Sequence, residues 1–178
     1  GIAVKIGRDG SRLWPAARHY SDPGNYRRFS AVTAGTDGDI FAILQGNPNN
    51  GRPLKQTILH LDRDGLVLAT SSDYSPTLYS YFCSISLSPD GLFTNCRGSF
   101  SMLDRVSLAE KWNGPSVIAN MPVLSYSLTS TSDGTAYLVG HQNNTVAKFA
   151  NDGSISKFVT SKSADSTTTI FHAAAWNR

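Results

Sequence analysis

The chain has 178 residues, a formal net charge of +3 and 16% charged residues. This length fits one domain with a sizeable core, and the abundance of Ser, Thr, Asn and Gly is typical of antiparallel hairpins with one polar face. No apolar run approaches the roughly 20 residues that a membrane-spanning helix needs, so we expect no membrane partner. The modest positive charge does not by itself indicate a nucleic-acid ligand.

Asp-Gly pairs recur along the whole chain. Asp-Gly is favoured in short loops that need a positive φ and a twist matching the flanking strands, so each pair predicts an antiparallel hairpin. The six pairs are Asp9-Gly10, Asp37-Gly38, Asp64-Gly65, Asp90-Gly91, Asp133-Gly134 and Asp152-Gly153. Six hairpin turns in so short a chain leave little room for helix, and the sequence therefore predicts an all-β protein.

In chain order, the predicted hairpins alternate between an outer and an inner kind. Inner hairpins join a strand rich in Ser, Ala and Val to a more apolar strand. The outer hairpins are 2–6 with 12–14, 57–61 with 66–69, 101–103 with 107–112, and 146–149 with 155–159. The inner hairpins are 29–34 with 40–44, 82–87 with 92–95, and 125–130 with 136–139. An inner and an outer hairpin together form a unit of four strands that repeats every roughly 43 to 55 residues, which is the period of a β-propeller blade.

The repeat predicts one β-propeller domain, 1–178, built of four-stranded antiparallel blades. We place an outer hairpin at 1–16, blades at approximately 28–72, 80–114 and 124–160, and a lone terminal strand at 169–176. Two arrangements fit: a small ring of about four blades, or part of a larger ring. Because exposed sheet edges invite pairing, an open ring would need a homo-oligomer or a strand-completing partner.

Two stretches resemble known propeller repeats. Residues 127–159 contain Asp133-Gly134, Tyr137-Leu138-Val139, Asn143-Asn144-Thr145-Val146, Lys148-Phe149 and Asp152-Gly153, and they resemble an NHL-type repeat. Residues 26–43 contain Phe29, Ala34-Gly35-Thr36-Asp37-Gly38 and Ile40-Phe41-Ala42-Ile43, and they resemble a tachylectin-type blade. The first resemblance implies a scaffold for protein or RNA partners, and the second implies sugar binding.

The two cysteines flank one predicted turn. If Ser88 pairs with Gly91, Cys83 lies directly across from Cys96 and a disulfide forms; a bulge at Gly91 would turn the two cysteines to opposite faces. The alternative is a pair of free thiols packed as small hydrophobic side chains. A disulfide and the N-glycosylation tripeptide that begins at Asn143 would both fit an extracellular or secreted protein.

Motifs that would indicate catalysis are scarce in this sequence. There is no G-x-S-x-G elbow and no phosphate-binding glycine loop, Glu110 is the one glutamate, and most aspartates fall in turns. We therefore expect no catalytic residues, no cofactor and no bound metal. An alternative is a propeller hydrolase or lyase whose channel ligands are His60, Asp62, His141 and His172. Since His60 and Asp62 would share one strand face, they are the nearest approach to a metal site.

Aromatic residues at strand ends and in loops are the best indication of a ligand. Flat aromatic faces suit the apolar side of a sugar ring, and neighbouring polar groups bind its hydroxyls. The candidate ligand-binding residues are Trp14, Tyr20, Tyr74, Tyr79, Trp112, His141, Asn143 and Trp176. The competing interpretation is that the tryptophans pack between blades.

We expect a non-catalytic binding module, a lectin-like propeller with a glycan ligand. The alternative is an NHL-type scaffold for a protein or RNA partner. That alternative requires one continuous basic patch formed by Lys5, Arg8, Arg12, Arg18, Arg27 and Arg28.

Overall fold

The computed structural model describes residues 2–20, 26–47, 56–71, 83–96, 99–113, 125–140 and 145–160. Every regular element in these ranges is a β-strand, which confirms the all-β prediction. The chain divides into two compact units, Gly1–Tyr79 and Ser80–Arg178, each with its own sheets. The predicted terminal strand 169–176 lies outside the described residues. Nowhere in the described ranges is there a helix long and apolar enough to cross a membrane.

The first unit holds a short two-stranded sheet and a four-stranded antiparallel sheet. Its strands are β1 (Ile2–Ala3), β2 (Arg18–His19), β3 (Tyr26–Ala34), β4 (Ile40–Asn47), β5 (Gln56–Leu61) and β6 (Val67–Thr70). The order β3-β4-β5-β6 follows the chain, so the turns after β3 and β5 share one end of the sheet and the β4–β5 connection lies at the other. We call these the turn end and the loop end.

The two faces of the β3–β6 sheet follow from its register. Ile40 pairs with Leu61 and Ala42 with Leu59, so these four side chains share one face. Tyr20, from the first hairpin, packs in one cluster with Leu59 and Leu61, and its ring meets Phe29 edge-on at 5.4 Å. Burial of this apolar face holds the first hairpin against the sheet.

The first hairpin differs from its predicted form. Strand 2–6 was expected to pair with 12–14, but regular pairing is limited to one bridge between Ile6 and Arg12, and the chain then returns to form β2 beside β1. Leu13 still donates its amide to the Lys5 carbonyl at 2.8 Å. Pro15 follows directly after Trp14, and because proline has no amide hydrogen the ladder cannot continue there.

The second unit holds two four-stranded antiparallel sheets. Its strands are β7 (Cys83–Ser88), β8 (Gly91–Cys96), β9 (Ser99–Leu103), β10 (Glu110–Asn113), β11 (Ser125–Ser130), β12 (Ala136–Gly140), β13 (Thr145–Phe149) and β14 (Ile155–Thr160). Phe93, Phe100 and Met102 from one sheet share a buried cluster with Leu138 and Phe149 from the other. The first strands of the two sheets also meet, since the hydroxyls of Ser86 and Ser130 lie 2.8 Å apart.

The hairpin turns use glycine in two different ways. Five of the six Asp-Gly glycines have the expected positive φ, for example +77° at Gly65 and +83° at Gly153. Gly91 does not, because Ser88 pairs with it directly and Pro89-Asp90 forms a two-residue turn. A Cβ at Gly91 would lie 2.5 Å from the carbonyl oxygen of Leu103, so this glycine permits a close backbone approach.

Cys83 forms a disulfide, and no cysteine in the described chain is free. The register is the one that favours a bridge: Ser88 pairs with Gly91, and Cys83 pairs with Cys96, the chain's one other cysteine. The bond therefore closes the β7–β8 hairpin at the end opposite its turn.

Candidate functional site

Two of the predicted ligand-binding aromatics have packing roles in the first unit. Trp14 is 4% exposed, its indole Nε1–H donates to the Arg63 carbonyl at 2.9 Å, and its ring lies against Gly65. The Tyr20 hydroxyl donates to the Gly65 carbonyl at 2.6 Å, and burial raises the pKa of this hydroxyl. Both side chains thus bind the β5–β6 turn through its backbone, and neither offers a free aromatic face.

Trp112 repeats the Trp14 contact in the second unit. This half-buried side chain donates its indole Nε1–H to the Asn151 carbonyl at 2.6 Å, and its ring lies against Gly153. Arg63 is the second residue of the turn 62–65, and Asn151 is the second residue of the turn 150–153. In each turn the amide of the fourth residue, a glycine, donates to the carbonyl of the first residue. The packing interpretation of these tryptophans fits the observed contacts. The other candidates, Tyr74, Tyr79, His141, Asn143 and Trp176, lie outside the described residues.

His60 and Asp62 do not form the metal-binding pair that the sequence suggested as an alternative. His60 is buried, its Nε2 lies 2.8 Å from Asp39 Oδ2, and its ring stacks on Phe41 at 4.4 Å. Asp62 Oδ1 instead accepts the amides of Asp64 and Leu66, each at 2.8 Å. In the described part of the chain, no group of three or more His, Cys, Asp or Glu side chains is placed to hold a metal ion.

Turn aspartates have structural partners that explain their charge state. The Ser107 amide, with the Ser107 hydroxyl, lowers the pKa of Asp104, and the hydroxyl of Thr131 is the largest cause of the lowered pKa of Asp133. Hydrogen bonds donated by Ser11 and by Ser154 lower the pKa of Asp9 and of Asp152, respectively, in the same way. These carboxylates stay ionised to low pH and stabilise turns, so they are poorly suited to general acid catalysis at neutral pH.

A polar row crosses three strands at the loop end of the β3–β6 sheet. Arg28 pairs with Gln45, and Gln45 pairs with Gln56, so the three side chains lie side by side on one face. Arg28 Nε lies 3.4 Å from Gln45 Oε1. We call Arg28, Gln45 and Gln56 the amide row. Further along the same face, Ile43 pairs with Ile58, and Phe41 pairs with His60 at the turn end.

The amide row runs from the surface into the core. Arg28 is exposed, whereas Gln45 is 1% and Gln56 is 2% exposed. Neither the oxygen nor the nitrogen of the Gln56 amide has a hydrogen-bond partner among the described residues. Leaving such a group buried and unsatisfied costs about 1–3 kcal/mol, so a stable protein rarely keeps one without a further role.

The sequence carries a signal for the amide row that residue-by-residue motif analysis overlooks. Gln45 directly follows the predicted strand 40–44, and Gln56 directly precedes the predicted strand 57–61, on either side of one predicted loop. Hairpin symmetry brings two such residues opposite each other. Only the β3–β4 register shows that Arg28 joins them, because a bulge between Phe29 and Ala31 shifts the pairing.

Comparison with solved structures identifies the fold. The chain matches a protein of unknown function from Bacteroides caccae with a TM-score of 0.61 and 14% identity, covering 89% of this chain and 54% of that one. It also matches streptogramin B lyase, a β-propeller protein, with a TM-score of 0.58 and 20% identity, covering 92% of this chain and 49% of that one. The chain thus spans about half the length of these structures.

The sequence comparisons add no family: no family model matches, and neither does any curated protein. The likeness to the two solved structures therefore establishes a shared architecture and no shared activity. The four-stranded antiparallel sheets and these structural matches together show that the chain has a β-propeller fold.

Proposed function

We propose that the protein is a non-catalytic binding module for a carbohydrate and that the amide row is part of its binding site. The observation that supports this proposal is the buried Gln56 amide, whose donor and acceptor both lack a partner in the described structure. A sugar hydroxyl is likewise both donor and acceptor, so one pair of hydroxyls satisfies one amide. The exposed Arg28 guanidinium supplies further donors where the row reaches the surface.

The position of the amide row supports a binding role over a purely structural one. The row lies at the end of the sheet opposite the Asp-Gly turns, where β4 ends and β5 begins. Loops held at one end of a rigid sheet are the usual location of binding sites. At the turn end, by contrast, the Trp14 indole and the Tyr20 hydroxyl donate to backbone carbonyls.

Binding of the purified protein to a broad glycan array tests the proposal. We expect one sugar class to bind, and we expect Gln56→Met to reduce its affinity by at least about tenfold because the replacement has no amide. The same variant should be as stable as the native protein or about 1 kcal/mol more stable, since it removes an unsatisfied buried group. Val32→Ala is the matched control, because Val32 lies on β3 and is 66% exposed.

Two outcomes would overturn the carbohydrate proposal. One is a blank array obtained with protein shown by circular dichroism to be folded. The other is a sugar class whose affinity survives both Gln56→Met and Arg28→Ala, which would place the site away from the amide row.

The alternative function is an NHL-type scaffold for a protein or RNA partner. Arg8 and Arg12 are exposed on the first hairpin and support this alternative. Lys5 and Arg18 on the same hairpin donate to the carbonyls of Arg63 and Asp64. If the glycan array is blank, RNA binding that weakens steeply with salt, and weakens further in Arg8→Ala with Arg12→Ala, would favour the scaffold.

A further inference from the structure

The charged side chains of the β3–β6 sheet are distributed unequally between its two ends. Arg28 lies on β3 at the loop end, where it begins the amide row, and it is exposed. At the turn end, Arg63 has its Nε 3.8 Å from Asp64 Oδ2. Four carboxylates lie in or beside the two turns of that end, and they are Asp37, Asp39, Asp62 and Asp64. Among the described residues of this sheet, negative charge therefore collects at the turn end, and Arg28 places a positive charge at the loop end.

The described neighbours of Arg28 on its face of the sheet are uncharged. Its Nε lies 3.4 Å from Gln45 Oε1, so this amide orients the guanidinium without neutralising it. The next row on the same face is apolar, with Ala31, Ile43 and Ile58 paired across the three strands. Ile43 and Ile58 are both buried. A charge bordered by buried apolar side chains is less screened than one surrounded by water, and it therefore attracts an anion more strongly.

A guanidinium in this position suits an oxyanion. It has five N–H donors in a planar fork, which can donate two parallel hydrogen bonds to a carboxylate or to a tetrahedral oxyanion. Such charge-assisted bonds are roughly twice as strong as those between neutral groups. The neutral amide of Gln56, at the other end of the row, matches hydroxyls instead. The two ends of the amide row therefore select different groups of a ligand.

We propose that the carbohydrate ligand is acidic and that Arg28 binds its anionic group, a carboxylate or a sulfate, while Gln56 binds its hydroxyls. This inference rests on the proposed function and adds the charge of the ligand to it. Arg28 and Gln56 lie two strand spacings apart, about 10 Å, so the anionic group and these hydroxyls are separate parts of one ligand. The net charge of +3 also favours the approach of an anion.

Isothermal titration calorimetry with matched pairs of oligosaccharides tests this proposal. Each pair consists of an acidic oligosaccharide and its neutral counterpart, made by reducing the carboxylate to an alcohol or by removing the sulfate. We expect the acidic member of one pair to bind at least about tenfold more tightly than its neutral counterpart. The pair that shows this preference identifies the anionic group.

Substitutions at two arginines show whether Arg28 makes this distinction. Arg28→Gln should remove the preference and leave the affinity for the neutral member within about threefold, because only the charge-assisted bonds are lost. Arg12→Gln is the matched control, since it removes the same charge from an exposed position on the first hairpin, and the preference should persist. If Arg28→Gln fails to fold by circular dichroism, Arg28→Lys replaces it. That variant keeps the charge but not the planar fork, so it should reduce the preference.

Equal affinity for both members of every pair, with binding that still depends on Gln56, would overturn this inference and leave the proposed function standing. A preference that survives the Arg28 substitutions, or that Arg12→Gln removes equally, would also overturn it. If no oligosaccharide of either kind binds to the folded protein, the proposed function fails and this inference fails with it.

Discussion

The indole Nε1 of Trp14 lies 2.9 Å from the carbonyl oxygen of Arg63, across the gap between the first hairpin and the β3–β6 sheet. Trp112 makes the same bond to Asn151 at 2.6 Å. Each tryptophan also has the same position relative to an outer turn. The carbonyls of Ser11 and Ala109 close these two turns, and Trp14 and Trp112 each lie three residues further along the chain. The same hydrogen bond therefore occurs twice, and each time it connects the turn of one sheet to a strand end of another.

Removing the indole donor while keeping an aromatic ring should weaken the contact between each tryptophan and its turn. We expect Trp14→Phe and Trp112→Phe each to lower the free energy of unfolding by about 1–2 kcal/mol, through the lost hydrogen bond and the smaller ring. Urea unfolding followed by circular dichroism measures the change. Val32→Ala should stay within about 0.5 kcal/mol of the native protein. If Trp14→Phe matches this control, the Trp14 contact contributes no stability.

A matched pair of glycine substitutions separates backbone strain from the indole contact. Gly10 and Gly65 have nearly equal positive φ values, but only Gly65 has an indole ring close to where a Cβ would lie. Gly10→Ala should cost about 1–2 kcal/mol for the left-handed conformation alone, and Gly65→Ala about 1–3 kcal/mol more because it overpacks against Trp14. Equal losses in the two variants, measured by urea unfolding, would contradict the role assigned to the ring.

The disulfide should make a measurable contribution to stability. The bond from Cys83 closes a loop of about 14 residues, for which the chain-entropy model gives roughly 3 kcal/mol. We expect a reducing agent to lower the free energy of unfolding by about this amount, and Cys83→Ala with Cys96→Ala to reproduce the loss. Mass spectrometry after alkylation without reduction should show no modified cysteine. Reduction that leaves the unfolding curve unchanged would contradict this expectation.

Local patterns in the sequence predict the strands of the four-stranded sheets and their neighbours, but not the pairing of the first hairpin. At the β7–β8 turn the sequence allows two registers, and the structure has the one in which Ser88 pairs with Gly91, so that Cys83 pairs with Cys96. The outer turn that lacks glycine shows why this works: Leu108 adopts a φ of 57° there, and the turn still closes from Asp104 to Ala109. Strand pattern determines the hairpin even where the preferred turn residue is missing.

Contacts between hairpins were much harder to predict. His60 pairs with Asp39, not with Asp62 two positions away, because β4 and β5 place Asp39 beside it while Asp62 turns back to cap its own loop. The amide row likewise depends on the β3–β4 bulge, which no local pattern in the sequence indicates. The sequence alone supported both packing and ligand-binding interpretations of Trp14, because a tryptophan at a strand end suits both roles.

Acid should destabilise the protein through its turn aspartates. The Thr131 hydroxyl and then the Thr135 amide lower the pKa of Asp133, so its folded-state pKa is below that of the unfolded chain. The unfolded state then binds more protons, and the stability from this group is complete above the unfolded pKa of about 4 and is lost as pH falls through the folded pKa. Asp104 acts in the same direction through Ser107.

Carboxyl titration by NMR, together with urea unfolding at several pH values, tests this expectation. Thr131→Val should raise the titration midpoint of Asp133 towards its ordinary value and leave that of Asp104 unchanged, since Thr131 bonds only the first of these carboxylates. Asp133→Asn should reduce the slope of stability against pH in the acid range, because one titrating group is gone. An Asp133 midpoint that does not respond to Thr131→Val would show that another contact sets its charge.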